Sequence, residues 1–144
     1  MVAKKNIEKV CKVCGSSWLS WNNDSRFCSA DCFNTYKYET FIKKWLRGEV
    51  SGGRKKGYGR VSNHVRKWVF EKYGNKCSIC GWSKTNTFTN SIPLEVEHLD
   101  GNPENHSSEN LTLLCPNCHS LTIGDTDKEI NGRRYYREHY LKVK

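Results

Sequence analysis

Long apolar stretches are missing from this 144-residue chain. No segment approaches the ~18 consecutive apolar residues of a membrane-spanning helix, so a membrane protein is excluded and the chain is read as soluble. Apolar residues are scarce overall. They make up 36% of the sequence, with a mean hydropathy of −0.78, against ~45–50% apolar for an average globular domain, so a large oily core is excluded. The opening residues, MVAKKNIEKV, lack the apolar h-region and small-residue cleavage site of a secretory signal, so nothing marks the chain for secretion and a reducing cytoplasm is expected. Apart from a shared use of paired cysteines, the two halves show no internal repeat. Negative charge is in deficit as well: 15 acidic residues face 24 Lys and Arg, leaving a formal charge of +9.

Cysteine, by contrast, is abundant. Eight residues fall into four close pairs: Cys11 and Cys14, Cys28 and Cys32, Cys77 and Cys80, Cys115 and Cys118. A small core must be supplemented by disulfides or by metal. Three C-x2-C pairs and one C-x3-C pair have the spacing that brings two thiolates from one turn to a single tetrahedral Zn²⁺ at ~2.3 Å. In a reducing compartment that spacing points to zinc. The economical reading is two structural zinc sites, one formed by Cys11, Cys14, Cys28 and Cys32, the other by Cys77, Cys80, Cys115 and Cys118.

The cationic excess points to a polyanionic partner, with nucleic acid foremost. Its distribution supports this. From Gly48 to Arg60 the chain reads GEVSGGRKKGYGR, in which five glycines separate Arg54, Lys55, Lys56 and Arg60. Such a segment is not expected to pack a core; it can lie along a phosphate backbone, where glycine permits close approach and each cation releases counterions. A plain linker and a DNA-contacting arm both fit. Residues 48–60 divide the chain into a zinc-finger module over 1–47 and a second domain over 61–144. Near the C-terminus, RRYYREHYLK reads as a basic helix in which Arg133 and Arg134 are placed to touch phosphates.

In the N-terminal module, Cys11-Lys-Val-Cys14-Gly15 reads as a knuckle, Trp18, Leu19 and Trp21 as a short hairpin over the metal, and Cys28–Cys32 as a pair opening a helix. Tyr38, Phe41, Ile42, Trp45 and Leu46 then follow the i, i+3, i+4, i+7, i+8 pattern of an amphipathic helix that stops at Gly48. Knuckle, hairpin and helix resemble a treble-clef finger of the FCS type, named for the Phe-Cys-Ser at residues 27–29. That resemblance implies a zinc-stabilised binding module.

In the second domain, VSNHVRKWVFEKYG predicts a helix capped by Ser62 or Asn63 and ended at Gly74, with Val61, Val65, Trp68 and Val69 on its apolar face and His64 at the surface. LEVEHL alternates like a strand and LTLLC reads as a second strand, with a Gly/Asn/Pro-rich loop between them; a helix is expected from Cys115-Pro116. His106, in that loop, is expected to face solvent or phosphate. Four cysteines already complete a closed zinc shell, which leaves His119 free for a second metal. An acidic residue, two histidines and an asparagine beside a zinc-stapled unit in a basic protein suit phosphodiester hydrolysis. That reaction needs a metal to neutralise the scissile phosphate and a base near neutrality to deprotonate water. Glu97 and His98 are adjacent, so on a regular strand they face opposite ways, and a twist or bulge at the strand end is required to aim both at one phosphate.

Residues 61–123 resemble an HNH endonuclease of the ββα-metal superfamily, zinc-containing branch. The resemblance is carried by Glu97-His98, Asn110, Cys118-His119, the flanking C-x2-C pairs and the run G-N-x-x-N-H-x4-L-T-L-L-C-P-N-C-H-S-L-T. It implies a small α+β protein, metal-stabilised, with a treble-clef-like finger followed by a ββα-metal nuclease domain. It also implies that His98 is the general base, that Glu97 and His119 bind a catalytic divalent cation, Mg²⁺ or another, and that Asn110 holds the loop bearing His98. The family often has Asp where Glu97 stands, so Glu95 is an alternative ligand. The arrangement looks like small free-standing phage HNH nucleases, some of them homing endonucleases, acting on double-stranded DNA in a bacterial or phage-infected cell as monomer or homodimer. A non-catalytic zinc-finger DNA-binding protein and an RNase using the same site are the alternatives.

Overall fold

Ser29 and Ser62 start the two long helices. A computed structural model describes residues 6–54 and 59–122. In it, a first hairpin pairs β1 (Ile7–Val10) with β2 (Ser17–Ser20) in antiparallel register, Val10 opposite Ser17. The knuckle from Cys11 to Gly15 joins these strands, and Gly15 takes a φ of 73°, left-handed backbone that suits glycine. The hairpin therefore begins before the first cysteine, not after the second as the tryptophan pattern suggested. It buries little: Leu19 is 66% and Trp21 74% exposed.

Helix α1 (Ala30–Leu46) opens where the Ser29 hydroxyl accepts from Cys32 N, with Asp31 in the first turn and Lys43 and Lys44 in the last. Each charge sits at the end of the helix dipole that favours it. Helix α2 (Asn63–Lys72) opens where Ser62 accepts from Val65 N, so Ser62 is the cap. Gly74 follows its end at a φ of 59°. Strands β3 (Glu95–His98) and β4 (Leu111–Leu114) pair antiparallel, Glu97 opposite Thr112 and His98 opposite Leu111. Helix α3 (Pro116–Thr122) follows at once, with Pro116 in the first helical position.

The core is built around β4. Leu111, Leu113, Leu114, Val65 and Val69 are at most 2% exposed, and α2 and α3 both contact β4. A strand covered on both faces reads as a continuous apolar run, and each fully buried Leu or Val contributes ~1.5–3 kcal/mol. The Thr112 hydroxyl, also buried, meets the Ser78 hydroxyl at 2.8 Å. Ile42 and Trp45 of α1 belong to this same cluster. Trp45 stands edge-on to Trp68 at 5.0 Å, and the Tyr38 hydroxyl donates to Glu71 of α2. His64, expected at the surface, is half-buried with its ring 5.1 Å from Phe41 and 5.8 Å from Tyr38. Leu46, expected on the apolar face, is 48% exposed, because the helix ends as the chain turns at Gly48.

The glycine-rich stretch, not expected to pack a core, places one residue inside the structure. Gly52 is buried. A Cβ there would stand 2.6 Å from Trp45 Nε1 and 2.9 Å from His106 Cβ, so only glycine admits this approach. A bridge pairs Gly53 with Val61, and Arg54 N donates to Arg60 O at 2.8 Å. Among the described residues, no helix is long and apolar enough to cross a membrane.

Candidate metal centres and active site

Both cysteine quartets converge. Within each, the four sulfurs lie within 4.8 Å of one another. Cys14 and Cys28 stand 3.5 Å apart, Cys28 and Cys32 3.6 Å, Cys80 and Cys115 3.7 Å. These distances far exceed the ~2.05 Å of a disulfide. They match the ~3.8 Å between thiolates placed tetrahedrally at ~2.3 Å around one ion, so both quartets fit structural zinc. In each, backbone N–H groups favour the thiolate of the first knuckle cysteine. The Cys14 backbone N–H, with those of Cys28 and Val13, lowers Cys11 to about 6. Burial pushes Cys77 up, but the backbone N–H groups of Cys80, Cys115 and Ile79 outweigh it and bring it to about 6.

The second quartet sets up the neighbouring histidine. Cys115 and Cys118 flank the first turn of α3, the helix that carries His119 and packs against β3. His119 Nε2 meets Glu97 Oε2 at 2.7 Å and His119 Nδ1 meets Glu95 Oε2 at 3.4 Å. Glu95 and Glu97 share one strand face by the two-residue period. Glu97 and the His119 ring are both partly buried, whereas the Glu95 side chain is 55% exposed. Two atoms in cis positions about an octahedral ion at ~2.1 Å stand ~3 Å apart, so an O/N pair at 2.7 Å fits a divalent cation after a small parting.

His98, next along β3, is half-buried with Nε2 3.0 Å from His106 Nδ1. Burial lowers its pKa below the ordinary imidazole value, against the opposing pull of Glu97 and Asp100. Burial likewise lowers His106, with the charge of His98 acting in the same direction. Both rings are neutral at pH 7. His106, expected to face solvent or phosphate, thus belongs to the His98 site; the run G-N-x-x-N-H contains it, but nothing in that run gives it a partner.

Asn110 is 8% exposed and spends its whole side chain on the loop after His98. Its Oδ1 accepts from Asp100 N at 3.0 Å, and its Nδ2 donates to Asp100 Oδ1 and Asn105 O, both at 2.8 Å. Leu99 N donates to the Asn110 carbonyl at 2.9 Å. Asp100 also accepts from Asn105 Nδ2 at 2.6 Å, the chief cause of its lowered pKa.

A cleft of about 400 Å³ opens beside His98, with Arg54, Arg60, Arg66 and Val96 among its walls. Two of the arginines singled out from the sequence, Arg54 and Arg60, are brought together here by the Gly53–Val61 bridge. Arg66 joins them from α2, its guanidinium over the Phe70 ring and donating to Leu94 O at 3.2 Å. Lys55, Lys56, Arg133 and Arg134 lie outside the described residues.

No protein-family model matches the chain. Among curated proteins, H-N-H endonuclease F-TflIV of Escherichia phage T5 is 48% identical over 56 residues, 39% of this chain. The match spans 24% of that relative's length. The resemblance to HNH endonucleases is therefore met by sequence comparison: this chain has a phage HNH endonuclease as a homologue.

Proposed function

We propose that the chain is a metal-dependent DNA endonuclease of the HNH, ββα-metal type. Residues 61–144 form the nuclease domain, and a treble-clef-like finger over 1–47 is joined to it through 48–60. The observation that carries this reading is the contact of Glu97 Oε2 with His119 Nε2 on the strand whose next residue is His98. Glu97 and His119 would hold a divalent cation, Mg²⁺ or another, which would supply neutralisation of charge at the scissile phosphate and the leaving oxygen. His98, neutral at pH 7, takes a proton from water. The water oxygen attacks phosphorus in line and the bond to the 3′ oxygen breaks. A 5′-phosphate remains, and the 3′ oxygen gains a proton from solvent to become a hydroxyl. Asn110 holds the loop that fixes His98. Arg54, Arg60 and Arg66 contact phosphates beside the cut, and counterion release there gives affinity without reading sequence.

The test is supercoiled plasmid incubated with the zinc-loaded protein, with and without Mg²⁺ or Mn²⁺, beside His98→Ala. The expected result is metal-dependent conversion to open circle or linear DNA, lost in the variant while the plasmid still shifts on a gel. A shift without conversion by the unaltered protein would favour a binding-only protein. Cleavage of matched RNA instead of DNA would favour an RNase.

A further inference from the structure

We infer that His106 is a positioning residue that sets the tautomer and ring orientation of His98, and that Trp45 and the Gly52-Gly53 pair hold His106 in place to do so. This rests on the reading of His98 as the base. Between His98 Nε2 and His106 Nδ1, 3.0 Å apart, one nitrogen must donate and the other accept. If His106 were the donor, His98 would carry its own hydrogen on Nδ1 and have no free lone pair. If His98 donates from Nε2, its Nδ1 keeps a lone pair that can receive a proton from water. His106 accepting at Nδ1 is therefore the arrangement that makes His98 a base.

The surroundings give His106 little freedom. Its carbonyl accepts from Trp45 Nε1 at 2.8 Å, and its backbone N donates to Glu104 O at 3.1 Å. Its ring lies against Gly53, where a Cβ would stand 2.6 Å from Nε2 and 2.7 Å from Cδ2. A Cβ at Gly52 would stand 2.6 Å from Trp45 Nε1 and 2.9 Å from His106 Cβ. The glycine pair is thus a seat for one imidazole. Through Trp45, helix α1 of the N-terminal half is made part of the His98 site.

The experiment uses the full zinc-loaded chain and reads two quantities: the single-turnover rate of plasmid nicking at saturating protein, and the ring-nitrogen tautomer of His98 by ¹⁵N NMR. His106→Ala is expected to slow nicking about 10- to 100-fold, the usual size of an orienting partner's effect. Plasmid affinity is expected to stay unchanged. His106→Asn, whose side-chain amide occupies the place of the imidazole Nδ1, is expected to recover most of the rate. In the unaltered protein His98 is expected to carry hydrogen on Nε2, and in His106→Ala to become a mixture of tautomers. A wild-type rate in His106→Ala, with His98→Ala inactive, overturns the inference and leaves the base intact. Hydrogen on Nδ1 of His98 in the unaltered protein also overturns it, whether or not the plasmid is cut. Full activity in His98→Ala instead removes the base reading, and the inference with it.

Discussion

His119 is held between two carboxylates of one strand, with Glu97 Oε2 2.7 Å from its Nε2 and Glu95 Oε2 3.4 Å from its Nδ1. The two contacts are unequal in length and in burial, and this ranks the candidate ligands. Glu97 is the shorter and the more enclosed partner. Glu95 is placed to steady the ring from its other nitrogen, as carboxylates do for metal-bound histidines.

Exchanging each carboxylate for its amide separates these roles. Glu97→Gln is expected to weaken the divalent cation at least ~10-fold and to remove metal-dependent nicking. Glu95→Gln, at a longer and half-solvated contact, is expected to weaken it less. Calorimetric titration of Mn²⁺ into the zinc-loaded protein checks both. A larger loss in Glu95→Gln would make Glu95 the ligand.

The pH dependence follows from the two buried rings. Burial holds both His98 and His106 below the ordinary imidazole value of 6.5. Between their folded values and 6.5 the unfolded chain binds more protons than the folded one, so stability rises with pH across that window. Their contribution is present above 6.5 and is lost as pH falls through the folded values. The nicking rate is expected to decline on acidification with a midpoint below 6.5, a value belonging to the coupled pair. A midpoint at or above 6.5 contradicts this burial effect.

Local chemistry was legible in the sequence, and contacts across the chain were not. Ser62 caps α2, Pro116 opens α3 and the cysteine pairs form quartets because each depends on neighbours a few residues away. The alternation of LEVEHL likewise gave β3. His106 and Gly52 were misjudged because their partners, His98 and Trp45, come from other elements. The close approach that these glycines permit is made at Gly52 to Trp45 and His106. His64 was lost in the same way, since only the packing of α1 on α2 brings Phe41 and Tyr38 to its ring.

Asn110 tests how much the loop depends on one amide. Asn110→Ala leaves Asp100 N and Asn105 O without their partner at a site that is only 8% exposed. A loss of ~1–3 kcal/mol in unfolding free energy is expected. The rate of nicking is expected to fall further than stability does, because the loop carries the approach to His98. Denaturant unfolding together with plasmid nicking measures the two; unchanged values for both would show that the loop holds itself.

The two quartets are expected to answer differently to loss of a ligand, because they support different amounts of buried structure. Cys77, Cys115 and Cys118 are part of the apolar cluster with Val65, Val69 and Leu113, whereas the first quartet anchors a hairpin whose Leu19 and Trp21 face outward. Structural zinc supplies ~10–16 kcal/mol of apparent binding free energy at pH 7, comparable with the ~5–15 kcal/mol of a whole domain's stability. Cys80→Ser should therefore abolish the cooperative unfolding transition of the core, while Cys28→Ser should lose one zinc and keep that transition. Zinc released by a thiol-modifying reagent, counted by a colorimetric chelator, is expected at two per chain in the unaltered protein and one in Cys28→Ser. A native thermal transition in Cys80→Ser would mean that the β4 core stands without its metal.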